Sequence, residues 1–224
     1  MKASYRSSIL CSALLLCSTS GQANNGQENN VPYSMRGLQL GVSLDEFKAF
    51  NIPNDDGNVD LRSWCSNETR PSGVYLYPKS ADTAVGVVTC QWFSKMPGYQ
   101  FTSDHWVDLG TGKGPPVFKF INNGDGYRLF EISFFANTQY YNGIYSALAQ
   151  NYGAPKEKIE PFQTRSGAMF ESKTSSWTNG ISSIVFKFRC REVERYCLTY
   201  SHLPLTKIYF ERLEAKDSEA AAKI

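Results

Sequence analysis

Histidine is scarce in this sequence: His105 and His202 are the only two in 224 residues. Asp104 and His105 are adjacent, but neighbours on an extended strand point to opposite sides and form no dyad unaided. His202 precedes Leu203-Pro204 and reads as a loop residue. No Ser, Cys or Asp is marked as a partner for either, so no catalytic triad is written in the chain. Excess charge is also missing. Lys and Arg number 23 against 21 Asp and Glu. Nucleic-acid binding draws on a surplus of cations that is not here, and an anionic membrane surface is equally unsupported.

Long apolar runs are absent. The longest, Ile9 to Leu16, is about half of what a bilayer-spanning helix needs, so no integral membrane segment is expected in the mature chain. There is no C-x-x-C, and no cysteine has a histidine near it in sequence, which argues against zinc. Gly110-Thr111-Gly112-Lys113-Gly114 lacks the spacer and the following Ser or Thr of a phosphate loop. Asn54–Asp60 and Asn122–Asp125 carry oxygen ligands, but Ile52 or Ile121 falls where an EF-hand loop needs its first ligand. They read as turns. No metal and no cofactor are expected.

The first 23 residues are informative. Lys2 and Arg6 precede the apolar run, and Gly21-Gln22-Ala23 closes the segment with small residues. That is the pattern of a secretory signal peptide cut after Ala23. Cys17 offers a competing lipoprotein route, but Leu16 is bulky for the position before a lipidated cysteine. Removal of residues 1–23 takes Lys2 and Arg6 with it, so the remaining bases equal the 21 acids. The protein is expected in the periplasm or secreted.

Of six cysteines, Cys65, Cys90, Cys190 and Cys197 remain after cleavage. An even number in an exported chain predicts two disulfides. Four cysteines allow three pairings; Cys65–Cys90 and Cys190–Cys197 are favoured because each closes a short loop.

Residues 24–34 are rich in Asn, Gln and Gly and read as a flexible N-terminus. One domain is expected over 35–217, with a frayed tail at 218–224. Ser43 and Glu46 form a capping-box signature for a short helix carrying Leu44, Phe47 and Phe50. Residues 51–72 read as a long polar loop around Trp64 and Cys65. Strands are expected at 73–77 and 84–93, the latter with Val88, Cys90 and Trp92 on one face. Residues 94–116 are Gly- and Pro-rich: irregular chain or a hairpin with a mobile tip.

The second half alternates more clearly. Phe118 and Phe120 mark a strand, and Asn122 to Gly126 is a hairpin turn. Tyr127–Ala136 is expected to place Phe130, Ile132 and Phe134 on one face, with Glu131 opposite them in solvent. The strongest helix is 138–152, with Tyr141, Ile144, Tyr145, Leu148, Ala149 and Tyr152 on one stripe. Gly153 and Pro155 end it. Strands follow at 163–170, 181–190 and 196–200, the last two joined by the charged turn 191–195. Residues 206–217 suit a strand or a helix. The whole predicts an α+β fold: an antiparallel sheet with few helices packed on one face.

Aromatic residues make up 14% of the chain, and Tyr and Trp recur at recognition surfaces because they combine contact area with a polar handle. Trp64, Trp106, Tyr140 and Tyr141, with Arg191 and Arg195 of the charged turn, are the expected partner-binding residues.

Gly41, Ser43, Glu46 and Phe47 resemble the opening of small exported bacterial domains of the β-lactamase-inhibitor-protein-like and small outer-membrane-assembly-lipoprotein kind. Tyr152-Gly153-Ala154-Pro155 is similar to a helix ending in such proteins. The likeness covers about 15 residues and departs at the long polar loop after the first helix. It implies a partner-binding or inhibitory domain without catalysis. The expected function is thus an exported, non-catalytic binding or accessory protein of the bacterial envelope that contacts a protein or an envelope component. An envelope hydrolase with a spatially assembled acid and histidine site is the alternative, and a structural accessory subunit a third.

Overall fold

A computed structural model describes residues 31–55, 57, 60–69, 74–95, 98 and 102–222. The expected signal peptide at 1–23, most of the 24–34 stretch and residues 223–224 lie outside the described residues, as do parts of the 51–72 and 94–116 segments.

The chain opens with a small hairpin, β1 (Ser34–Met35) and β2 (Leu38–Gln39). Helix α1 (Leu44–Ala49) follows, started by the predicted capping box. Ser43 Oγ accepts from the Glu46 N–H at 3.2 Å, and Glu46 Oε2 accepts from the Ser43 N–H at 2.7 Å. Strand β3 (Asp60–Cys65), the short helix α2 (Ser80–Ala84) and strand β4 (Val88–Lys95) come next. Then come β5 (Thr102–Asp104), the hairpin β6 (Val107–Leu109) and β7 (Gly112–Gly114), β8 (Pro116–Asn122) and the long β9 (Tyr127–Asn137). A 3-10 turn at Thr138–Tyr140 leads into α3 (Tyr141–Tyr152), capped by Gly153 at φ +81°. The chain ends with β10 (Lys156–Gln163), β11 (Met169–Thr178), β12 (Ser182–Phe188), β13 (Arg195–His202) and α4 (Leu203–Ala221).

Nine strands form one antiparallel sheet in the order β10-β11-β12-β13-β9-β8-β4-β3, with β5 also on β4. The fold is α+β with a large antiparallel sheet. Both expected disulfides are present. Cys65 and Cys90 are direct cross-strand partners and fully buried. Bridges of this sort persist in oxidising compartments. Among the described residues no helix is long and apolar enough to cross a membrane.

One face of the sheet carries the main core. Phe47 of α1 packs on Trp92, Phe118 and Phe120 at 4.7–6.1 Å between ring centroids. Tyr141, Ile144 and Leu148 of α3 are buried in the same core with Phe186, Tyr196 and Leu198. The Gly-rich hairpin β6–β7 docks onto α3. Its tip passes so close to Gly143 that a Cβ there would stand 2.1 Å from Thr111 Oγ1. The expected mobile tip is therefore a docked one.

No strand covers 74–77, where one was expected, and α4 runs on to Ala221 into the tail expected to fray. The structure corrects the sequence reading at four further places. Residues 60–65 are an edge strand, not part of a loop; being polar and half-exposed, Asp60–Cys65 carries little of the apolar alternation that marks an inner strand. The strand expected at 163–170 is a hairpin joining β10 and β11. Strand β10 was hidden for the same reason as β3: Lys156, Glu157, Lys158 and Ile159 are all exposed on the sheet edge.

The third concerns Phe130. Lys119 pairs with Glu131 but Phe120 pairs with Leu129, so Phe130 is the extra residue of a bulge. The bulge turns Phe130 away from Ile132 and Phe134 onto the opposite face. There it joins Ile121, Val85, Val87 and Leu205 in a second, smaller core. Glu131 is on that same face and not in free solvent. The fourth follows from it: α1 and α3 share one face, while α4 covers part of the other through Leu205, Ile208, Tyr209 and Leu213.

Candidate functional site

The end of β9 gathers four of the six expected binding residues. The 3-10 turn that follows β9 places Tyr140 edge-to-face with Trp106, 6.2 Å between centroids at 68°. Trp106 is 37% exposed. The 191–195 turn lies alongside, because Arg195 pairs with Asn137 and the Thr138 N–H donates to the Glu194 carbonyl at 2.8 Å. Arg191 and Arg195 both lie over the Phe135 ring, with guanidinium carbons 5.4 and 5.5 Å from its centroid. Cations at that range are attracted by the ring's negative face. Cys190–Cys197 closes the turn, and the Cys190 N–H donates to the Arg195 carbonyl at 3.1 Å.

The remaining two sit elsewhere. Tyr141 is buried, stacked on Phe186 at 4.4 Å, and belongs to the core. Trp64 is half-buried in β3 against Phe93, Val74 and Leu76, a third small apolar cluster. Phe135 was not picked out by sequence reasoning, because its alternation with Phe134 gives no sign of which face α4 would leave open. Tyr75 and Tyr77 were also missed. They are 65% and 83% exposed, near-parallel at 9° and 6.3 Å apart. The signal was available: in Val74-Tyr75-Leu76-Tyr77, burying the aliphatic positions on Phe93 necessarily turns the tyrosines outward.

Both histidines have structural work. His105 is buried, its Nε2 is 2.7 Å from the Pro53 carbonyl, and its backbone N–H donates to Trp92. His202 caps α4, accepting at Nδ1 from the Leu205 N–H at 3.4 Å. Burial holds its imidazole below the usual histidine range.

One ionic cluster, the most buried among the described residues, locks α4 to the sheet. Lys119 Nζ lies 3.2 Å from Asp82 Oδ2 and 3.0 Å from Glu131 Oε1, and the Tyr209 hydroxyl donates to Asp82 Oδ1 at 2.7 Å. Arg212 donates to the Asn122 carbonyl at 2.5 Å. Burial alone would lower the Lys119 pKa, but Glu131 and Asp82 outweigh it and hold it above the usual lysine range. Burial, reinforced by Asp82, raises the Tyr209 phenol. Lysine stays charged and tyrosine stays protonated, so neither is poised to exchange a proton near neutral pH.

A cavity of about 360 Å³ opens between β1, the β6–β7 hairpin and α3, lined by Arg36, Asp108, Gln150, Asn151 and Tyr152 among others. Arg36 of its wall is already paired, bonding Asp55 at 2.5 Å. Among the described residues no group of three His, Cys, Asp or Glu converges as a metal site. Compared with known families, curated proteins and solved structures, the chain matches none.

Proposed function

We propose that this chain is an exported, non-catalytic binding or accessory protein of the bacterial envelope, acting in the periplasm or after secretion. Its contact surface is the end of β9: Trp106, Tyr140, Phe135, Arg191 and Arg195. The observation that carries the reading is a division of labour among side chains. Both histidines and the Asp82–Lys119–Glu131–Tyr209 cluster are spent on holding the fold, whereas Trp106, Phe135 and the two arginines at one end of the sheet face solvent from ordered backbone, with Tyr140 half-buried against the core beneath Trp106. Aromatic residues and arginines dominate the energetics of protein interfaces. The resemblance of the α1 entry to partner-binding exported domains agrees with this reading, as do the two disulfides.

Co-purification from envelope extract tests it. The wild-type chain is expected to retain a stoichiometric partner, and Trp106→Ala to weaken retention without shifting the denaturation midpoint. Recovery of no partner, together with saturable turnover of a glycan or peptide, would reverse the reading in favour of a hydrolase.

A further inference from the structure

We infer that Phe135, Arg191 and Arg195 form a docking site for an acidic segment of a partner protein, whose carboxylates engage the guanidiniums and whose apolar side chains cover the ring. The inference rests on the binding-protein reading and names the partner's chemistry.

The first ground is what the site leaves open. Phe135 projects from β9 on the face that α3 does not cover and is 36% exposed; Val185 of β12 is a further exposed apolar residue on that face. Arg191 makes no hydrogen bond or ion pair among the described residues, its only partner being the Phe135 ring. A guanidinium held against a ring keeps its N–H donors free for a planar, bidentate acceptor such as a carboxylate.

The second ground is a carboxylate already near the site. Glu192 Oε2 lies 3.7 Å from Arg195 Nε, a loose pair between exposed side chains. It is a weak stand-in from within the chain that a better-placed external carboxylate would displace. Glu194 is the other acid of the turn, and its carbonyl is engaged by Thr138.

The third ground is order. The disulfide, the Cys190–Arg195 and Arg195–Glu192 backbone bonds and the Thr138–Glu194 bond hold the turn before any ligand arrives. Arg189, at φ +61°, enters the turn in the left-handed region. Pre-ordered side chains lose less freedom on binding. Finally, the formal charge of the full chain is only +2. Adsorption to a lipid surface or to a nucleic acid relies on a broad positive field. Two arginines flanking an apolar ring on a near-neutral chain suit discrete carboxylates beside apolar side chains.

Fluorescence anisotropy with the oxidised exported chain tests this, using labelled poly-L-glutamate and a glutamate–tyrosine copolymer. Both are expected to bind at low salt, the copolymer more tightly. The double variant Arg191→Ala/Arg195→Ala should lose about tenfold or more, a drop of roughly 1.4 kcal/mol. Phe135→Ala should abolish the copolymer's advantage, and Glu192→Gln, by freeing Arg195, should tighten binding of both. Glutamate polymers that do not bind, or that bind the double variant equally well, overturn the inference. So does arginine-dependent binding found only for phosphatidylglycerol vesicles or polygalacturonate, which would make the ligand a lipid or a glycan. An envelope partner kept by the double variant but lost by Trp106→Ala would sink this inference while leaving the binding reading intact.

Discussion

The Thr111 hydroxyl at the tip of the β6–β7 hairpin lies against the bare backbone of Gly143 on α3: a Cβ on Gly143 would stand 2.1 Å from Thr111 Oγ1 and 3.0 Å from the Gly112 nitrogen. In an isolated helix Gly→Ala stabilises by about 1 kcal/mol. Here the added methyl must displace the Thr111 hydroxyl and crowd the hairpin backbone behind it, and overpacking of this kind costs about 1–3 kcal/mol. Gly143→Ala is therefore expected to lower the urea midpoint. Adding Thr111→Ala should restore part of the loss, since it removes the nearest atom but not the backbone behind it. A raised midpoint for Gly143→Ala would show that the hairpin does not dock there.

Leu148 and Tyr141 lie in the same core and should respond differently. Leu148→Ala leaves a cavity and is expected to cost about 2–5 kcal/mol. The Tyr141 hydroxyl is buried without a hydrogen bond, so Tyr141→Phe should be neutral or slightly stabilising. Chemical denaturation of both variants measures the contrast.

Tyr209 secures α4. Tyr209→Phe removes the donor to Asp82 Oδ1 inside a buried cluster, at an expected cost of about 1–3 kcal/mol. Lys119→Met should cost more, about 3–5 kcal/mol, because it leaves Asp82 and Glu131 without their shared cation. Amide exchange should speed first in α4 for Tyr209→Phe. Unchanged protection there would show that the helix is held by its apolar contacts alone.

His202 makes stability depend on pH. Its folded pKa lies below the ordinary value near 6.5 because burial opposes the charge. The unfolded chain therefore takes up the proton first. The contribution is full above about pH 6.5 and falls away as pH drops from there through the folded pKa. His202→Asn keeps a side-chain acceptor at the helix start and should flatten the decline in stability between about pH 7 and 5.5, a window above carboxylate titration. An unchanged slope in the variant would assign that decline to another group.

The two disulfides should differ in worth. Chain-entropy arguments give about 3.5 kcal/mol for the longer Cys65–Cys90 loop and about 2.5 for Cys190–Cys197. Serine pairs at each bridge, compared by guanidinium denaturation, test the order. The Cys190/Cys197 pair should remain folded and serve as a probe of the 191–195 turn. A larger loss there than at Cys65/Cys90 would mean that the turn supports the sheet.

Much of the local structure was legible. The Ser43–Glu46 capping box, the Asn122–Gly126 turn and the Gly153 stop on α3 involve residues within a few positions of one another, so sequence spacing is enough to specify them. The Val88, Cys90 and Trp92 face held for the same reason, since strand geometry alone decides it. Edge strands β3 and β10 were hidden because an edge needs few apolar residues and favours charged ones. Of the candidate site, Trp106, Tyr140, Arg191 and Arg195 were named, but Trp64 and Tyr141 were grouped with them on residue type alone.

The amino-acid order by itself determined the α+β class, the presence of two disulfides and the ends of α1 and α3, because each follows from short-range chemistry or from period; the short helix α2 and the full extent of α4 did not show in it. Only the tertiary structure decided that Tyr141, which helical period puts on the inner stripe of α3, is buried there and takes no part in the contact surface, while Tyr140, one residue earlier, meets Trp106. It also decided that a bulge at Phe130 sends one aromatic to a second core under α4, and that Phe135 stays open between two arginines. These outcomes depend on which elements cover which face. That is set by contacts between residues far apart in the chain, where periodicity carries no information.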